Sequence, residues 1–177
     1  IPVKAATKDF FILNTHVVIV LGSPMTDVAR VHASSGTTGK PTIGYYTKRD
    51  MDTWAEASAR VLALNGIERD DILQISVGYG LFTGAFGFHQ GAERIGCTII
   101  PPSTGNTQRQ LVMMRDIGVT ALMATPSYAT YLSELLAKEP GSKVKKVLLG
   151  AERCTKAMRR EIERDLGVRV ADNYGLT

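Results

Sequence analysis

Apolar residues in this chain follow two alternating rhythms. Short apolar runs at 72–77, 97–100, 120–124, 144–149 and 168–171 recur about every two dozen residues, too short for helices and too continuous for half-exposed strands. Between them the apolar side chains fall three and four apart, which sets them on one face of a helix. Met51, Trp54, Ala55, Ser58, Val61 and Leu62 form such a stripe from Asp50 onward, stopped by Asn65-Gly66, and Trp54 reads as core rather than ligand. A second helix runs from about Ala85 to Arg94 and ends at Gly96. Asn106 or Thr107 caps a third through Leu111, Met114 and Ile117. Thr125-Pro126-Ser127 opens a fourth, with Tyr128, Tyr131, Leu132 and Leu135 as its stripe and an end near Lys138. Met158, Ile162 and Leu166 mark the last, stopped by Gly167.

Strand and helix in strict alternation predict βαβ crossovers. The expected fold class is therefore α/β, a largely parallel sheet with helices on both faces. Ligands of such sheets bind beyond the carboxyl ends of the strands. The glycine-rich or polar segments 78–84, 101–107, 125–128, 150–153 and 172–177 all follow strand ends, so they are expected to share one rim. Upstream, 17–21 reads as a short buried strand before the turn Gly22-Ser23-Pro24, and strands at 28–31 and 43–47 flank a polar loop that should join two neighbours.

Composition narrows the class of function. With 177 residues, 44% of them hydrophobic and 21% charged, the chain suits one folded domain and not a disordered segment. Its net charge of +4 is scattered. The clusters Lys143, Lys145, Lys146 and Arg159, Arg160 carry no interleaved aromatics, so they read as solvated faces and nucleic acid is not an expected partner. Cys97 and Cys154 lie in no metal or disulfide spacing, which fits a reducing cytoplasm. The apolar run 10–21 is interrupted by Asn14, Thr15 and His16 and lacks a cleavage site, so neither a signal peptide nor a membrane span is expected.

The densest chemistry lies in Ser34-Ser35-Gly36-Thr37-Thr38-Gly39-Lys40-Pro41-Thr42. Gly36 and Gly39 permit positive φ, so successive N–H groups can turn toward one anion, joined by four hydroxyls and the Lys40 ammonium. Only two residues separate the glycines and Pro41 follows the lysine, which excludes a Walker A loop. A solvated turn between two strands is the plainer alternative.

This loop resembles the phosphate loop of the adenylate-forming superfamily, which includes acyl-CoA synthetases, peptide-synthetase adenylation domains and luciferases. Tyr174-Gly175-Leu176-Thr177 is similar to the start of its second signature, Tyr-Gly-x-Thr-Glu. His32-Ala33, Tyr79-Gly80-Leu81-Phe82-Thr83-Gly84, Gly91-Ala92-Glu93-Arg94, Thr125-Pro126-Ser127-Tyr128 and Gly150-Ala151-Glu152 resemble, more narrowly, the phenylacetate-CoA ligases. The resemblance implies an ATP-dependent two-step reaction. An aryl carboxylate attacks the α-phosphorus of ATP and expels pyrophosphate, and coenzyme A then displaces AMP to form a thioester. No protein nucleophile is required; positioning and stabilisation of spreading phosphate charge are.

Roles follow by the same resemblance. Ser34, Ser35, Gly36, Thr37, Thr38 and Gly39 would hold the β and γ phosphates, with Lys40 neutralising pyrophosphate. Gly150, Ala151 and Glu152 would lie along adenine, with Asp172, Tyr174 and Gly175 beside the nucleotide and Thr177 on the α-phosphate. Tyr79, Phe82, Gly84 and Pro126 are candidates for the acid pocket, although Tyr79 and Phe82 suit an ordinary core equally well. Tyr128 and Tyr131 read as packing. His89 reads as structural, since nothing in the sequence sets a hydroxyl or carboxylate beside it. Mg²⁺ is implied, but the family's metal-holding glutamate would come after Thr177, and its ribose aspartate, hinge and lid lie outside these residues. Residues 1–177 therefore read as part of an adenylation domain, with 1–25 poorly matched, inactive alone and with a homodimer an allowed assembly. A non-catalytic nucleotide-binding remnant is the rival reading.

Overall fold

The computed structural model describes residues 18–20, 23–34, 39, 41–138 and 141–175. In chain order the elements are β1 (Val18–Val20), β2 (Val28–Ala33), β3 (Thr42–Thr47), α1 (Lys48–Leu64), β4 (Ile72–Ser76), α2 (Thr83–Ile95), β5 (Thr98–Ile100), α3 (Thr107–Met113), β6 (Ala121–Ala124), α4 (Pro126–Ala137), β7 (Lys146–Leu149), α5 (Lys156–Leu166) and β8 (Arg169–Asp172). Helix α1 starts at Lys48 because Thr47 and Asp50 form a capping box. The Asp50 amide donates to the Thr47 hydroxyl at 3.2 Å, and the Thr47 amide donates back to the Asp50 carboxylate at 2.8 Å. The bonds from the Thr47 amide and hydroxyl hold the Asp50 carboxyl below its ordinary range.

Five strands form a wholly parallel sheet in the order β5-β4-β6-β7-β8. Alternate residues of each strand face opposite helical layers. Leu73, Ile75, Ala121, Met123 and Leu148 pack with Leu62, Ile67, Ala85 and Ala92 of the α1–α2 side. Leu122, Ala124, Val147, Leu149 and Val170 pack with Leu111, Leu132 and Ile162 of α3, α4 and α5. The expected α/β class and its two helical layers are thus present. The chain moves from β4 to β5 in one direction and then back past β4 to β6, β7 and β8 in the other. Crossovers of one hand must put helices on opposite faces when direction reverses, which explains why α2 lies alone among the crossovers on its side.

The amino ends of the strands are tied by a polar knot. The Asp71 carboxylate, 7% exposed, accepts from the Glu68 amide at 2.7 Å, the Thr120 hydroxyl at 2.7 Å and the Lys146 ammonium at 2.6 Å. Burial alone would raise its pKa, but the Lys146, Glu68 and Thr120 hydrogen bonds outweigh that and hold it low. Lys146 is therefore not part of a solvated face, a correction to the sequence reading. A buried carboxylate one residue before β4 recruits it.

Two further expectations change. Helix α3 closes at Met113 and passes into a π-helical turn, Met114–Gly118, in which the Val119 amide reaches back to the Met114 carbonyl and Gly118 sits at φ +79°. The turn rotates Ile117 to the surface, where it is 48% exposed. Tyr131 is likewise 50% exposed, because α4 buries Ala129, Leu132 and Leu136 instead. Trp54 lies partly buried between the helical layer and β3, stacked on Tyr46 at 5.4 Å between centroids.

Helices α1 and α2 meet at glycine. A Cβ on Gly91 would stand 2.7 Å from the Ala59 nitrogen and 2.8 Å from the Ser58 carbonyl carbon, backbone atoms that cannot swing aside. Gly91→Ala is expected to lower stability by about 1–2 kcal/mol in thermal or urea unfolding, since overpacking outweighs Ala's better helix propensity. For Asp71 the depressed carboxyl pKa means stability present above its unfolded value and lost as pH falls through the folded value. Asp71→Asn should cost about 2 kcal/mol at neutral pH in urea titrations, and its gap from wild type should shrink as pH falls below the ordinary 3.8.

Candidate active site

The reversal of direction puts the topological switch point between the carboxyl ends of β4 and β6, and it is in the crevice at such a point that open parallel sheets receive ligands. The segments that follow these and the neighbouring strands touch one another. The Tyr79 amide donates to the Ser103 hydroxyl at 3.3 Å, and the Thr107 and Tyr128 hydroxyls bond at 3.1 Å. Ser127 donates from both its amide, at 3.2 Å, and its hydroxyl, at 2.6 Å, to one carboxylate oxygen of Glu152. The Asn173 amide donates to the Leu149 carbonyl at 2.8 Å, and Gly150 lies close against Asn173. One continuous rim results.

The loop between β2 and β3 closes a hairpin, as expected. Ala33 pairs with Ile43 in the antiparallel ladder, the Ser34 amide donates to the Thr42 carbonyl, and the Thr42 amide donates to the Ser34 hydroxyl at 2.9 Å. The Ser34 oxygen thereby anchors the root of the loop. Gly39 is exposed with φ +154°, a conformation L side chains rarely adopt. Ser35, Gly36, Thr37, Thr38, Lys40 and Thr177 lie outside the described residues.

The remaining candidates fall on the rim with different degrees of constraint. Gly150 is buried, whereas Ala151 and Glu152 are exposed, and Ala151 holds φ +68° without being glycine. Asp172 ends β8, exposed, with Gly175 exposed beyond it and Tyr174 89% exposed. Pro126 is buried at the first position of α4. Phe82 is 52% exposed at the entry to α2, so it belongs to the surface of the crevice and not to the core. Gly84 is exposed in the first turn of α2, with open space where a Cβ would go.

Tyr79 packs against the α1–α2 core, edge-on to Phe86. Its hydroxyl lies 3.0 Å from His89 Nδ1, and His89 Nε2 lies 3.4 Å from the Glu93 carboxylate. Nε2–H facing a carboxylate leaves Nδ1 to accept from the phenol. His89 therefore does have a hydroxyl and a carboxylate beside it, contrary to the sequence reading. The His89–Glu93 spacing of one helical turn was legible; the fold of the preceding loop over α2 was not. Burial, aided by the Glu93 charge, pushes the Tyr79 phenol well above its ordinary value.

Sequence reasoning also missed the polar support under the rim. Gln110, fully buried, donates to the Ser103 carbonyl at 3.1 Å and the Gly105 carbonyl at 2.8 Å, and accepts from Gln74 at 3.2 Å. Two buried glutamines thus hold a loop containing Ser103 and Asn106, both at positive φ. A glutamine at a core position of both β4 and α3 was the available signal. Asn173 was missed as well. Its side-chain nitrogen is buried beside Gly150 with no partner among the described residues.

These features suit a polar ligand: an N–H donor without a partner among the described residues beside Gly150, and a non-glycine residue at positive φ next to it. Among the described residues no three His, Cys, Asp or Glu side chains cluster as a metal site would require. The concavity lined by Asn65, Ile67, Lys145 and Arg169 lies at the amino ends of β7 and β8, away from the crevice.

Fold and rim together define an α/β domain with its ligand crevice at a topological switch point. The chain belongs to the AMP-binding enzyme family, whose model matches residues 14–177. It is 47% identical over 159 residues to the phenylacetate-coenzyme A ligase of Escherichia coli (strain K12) and 44% identical over 158 residues to that of Pseudomonas putida, in each case over 87% of this chain and 36% of the relative. The chain spans about a third of the length of the curated relatives it matches. Among solved structures it resembles an open conformation of 2-hydroxyisobutyryl-CoA ligase in complex with 2-HIB-AMP and CoA, with TM-score 0.79 and 25% identity over 88% of this chain and 37% of that one. A long-chain-fatty-acid-CoA ligase from Archaeoglobus fulgidus shares the fold, with TM-score 0.68 and 19% identity over 90% of this chain and 33% of that one.

Tyr79→Phe is expected to destabilise the protein by about 1 kcal/mol through loss of the bond to His89, leaving the sheet intact. Far-UV circular dichroism with thermal unfolding checks both parts.

Proposed function

We propose that this chain is the ATP- and acid-binding core of an AMP-forming acid–CoA ligase acting on an aryl, phenylacetate-like carboxylate. The observation that carries the reading is the bonded rim, on which the segments at 79, 103, 127, 152 and 173 converge on the switch-point crevice of a chain 47% identical to a phenylacetate-coenzyme A ligase. The solved relative bound to an acyl-AMP and CoA supports the same two ligands here.

The carboxylate oxygen attacks the α-phosphorus, the bond to the bridging oxygen breaks, and pyrophosphate leaves. The coenzyme A thiol, losing its proton, then attacks the acyl carbon and AMP departs. This chain's residues bind and orient. The 34–42 hairpin receives the β and γ phosphates, with Lys40 opposing the charge that builds on the leaving pyrophosphate. Gly150, Ala151 and Glu152 flank adenine, with Glu152 held by Ser127 and Tyr174 free to lie against the ring. Thr177 reaches the α-phosphate. Phe82, Gly84 and Pro126 border the acid, and Tyr79 offers its ring edge because its hydroxyl is committed to His89. Mg²⁺ supplies additional phosphate charge neutralisation when bound, through a glutamate expected after Thr177.

A cytoplasmic setting and a homodimer complete the proposal. Both cysteines are free, and burial pushes both thiols up.

Pyrophosphate release by the full-length ligase should be strong with phenylacetate and weak with fatty acids; equal absence with every carboxylate overturns the reading. Lys40→Ala should lower kcat/KM for ATP by roughly two orders of magnitude, as lost transition-state charge stabilisation does, while thermal unfolding stays close to wild type; Gly39→Ala should lower both ATP use and stability, since a Cβ is strained at φ +154°.

A further inference from the structure

Segment 80–82 sits at the mouth of the crevice with little to hold its side chains. Gly80 is exposed, Leu81 is 62% exposed and Phe82 is 52% exposed, so packing does not fix the path of this stretch. Its backbone is tied to β2 at the Leu81 carbonyl. The Leu81 carbonyl accepts two hydrogen bonds, from the Ala33 amide at 2.9 Å and from His32 Nδ1 at 3.0 Å. Both donors lie at the end of β2, and the next residue, Ser34, roots the glycine hairpin.

His32 is an unusual residue to spend on this contact. It is 1% exposed, enclosed by Tyr46, Trp54 and Phe86 with ring centroids 5.4–5.8 Å away, and its Nε2 has no hydrogen-bond partner among the described residues. Bonding to a carbonyl oxygen requires the proton on Nδ1, which leaves Nε2 as a bare buried acceptor. Phenylalanine or leucine would fill the same box without that unsatisfied atom. What they would lack is the donor to Leu81.

We propose that His32 is a positioning residue that clamps the acid-facing segment 80–82 onto the stem of the nucleotide hairpin, so that the two substrate loops move as one body. The role rests on the ligase reading for the names of the two ligands, but the clamp between the loops does not. Occupation of either loop restricts the shared carbonyl and therefore lowers the cost of ordering the other, which appears as reciprocal coupling between the two ligands.

The test uses the full-length ligase with His32→Leu, His32→Asn and His32→Phe. Asparagine places an amide N–H near the position of Nδ1, leucine has the same outline without a donor, and phenylalanine fills the aromatic box without a donor. The affinity of phenylacetate is measured by calorimetry with and without α,β-methylene-ATP, and hydrogen exchange is followed over 33–34 and 80–83. His32→Leu and His32→Phe should lower the coupling factor about fivefold and speed exchange in both segments together, while His32→Asn restores both. Equal coupling and exchange in the Leu and Asn variants, or wild-type protection of 80–83 in the Phe variant, overturns the clamp. Failure of wild type to bind either ligand breaks the ligase reading, and the exchange comparison still decides the clamp.

Discussion

Burial of all five parallel strands between two helical layers is the constraint from which the rest follows. A parallel strand cannot be reached by a tight turn, so each one needs a helix, and each helix needs an apolar sheet face to cover. Leu73 and Ile75 answer one layer while Leu122 and Leu149 answer the other. Once the chain reverses direction after β5, no single layer can carry all the crossovers. The crevice between β4 and β6 is the geometric residue of that reversal, and the polar loops gather there because loop backbone cannot be buried in either layer.

Buried polar side chains do different work at the amino ends of the strands and toward their carboxyl ends. At the amino ends Asp71, Thr120 and Lys146 satisfy one another and join β4, β6 and β7. At the carboxyl ends Gln74 and Gln110 lift a loop with positive-φ residues into place, and Ser127 immobilises Glu152. The first arrangement is closed, whereas the second leaves Asn173 and Gln74 atoms without partners. Among the described residues incomplete satisfaction thus lies toward the carboxyl ends of the strands, the side on which open parallel sheets receive ligands.

The helical layer over β4 and β5 depends on absent side chains. Gly91 lets α1 and α2 approach until backbone meets backbone, and Gly87 makes room for the Trp54 ring. That close approach carries Trp54 and Tyr46 against His32, and so connects helix packing to the residue that holds the Leu81 carbonyl. Tyr79, His89 and Glu93 form a second line from the same helix to the crevice. Both lines run through histidines, of which His89 read as merely structural and His32 only as part of a motif.

Period and punctuation in the sequence were enough for the α/β class, the order of its elements, the rim and the hairpin closed by Ser34 and Thr42, because each depends on residues near one another in the chain. The Ser/Gly/Thr/Lys spacing was likewise enough to separate this loop from a Walker nucleotide site, and its resemblance to the adenylate formers agrees with the family the chain belongs to. Lys146, Ile117, Tyr131 and His89 escaped that reading. Each is decided by a neighbour distant in sequence or by a local change of helical pitch: Asp71 across the sheet, the π-helical turn before Gly118, the direction in which α4 faces, the loop carrying Tyr79. Local spacing sets which residues can share a face. Only the folded chain sets what that face meets, since buried polar groups find their partners through space and not along the backbone.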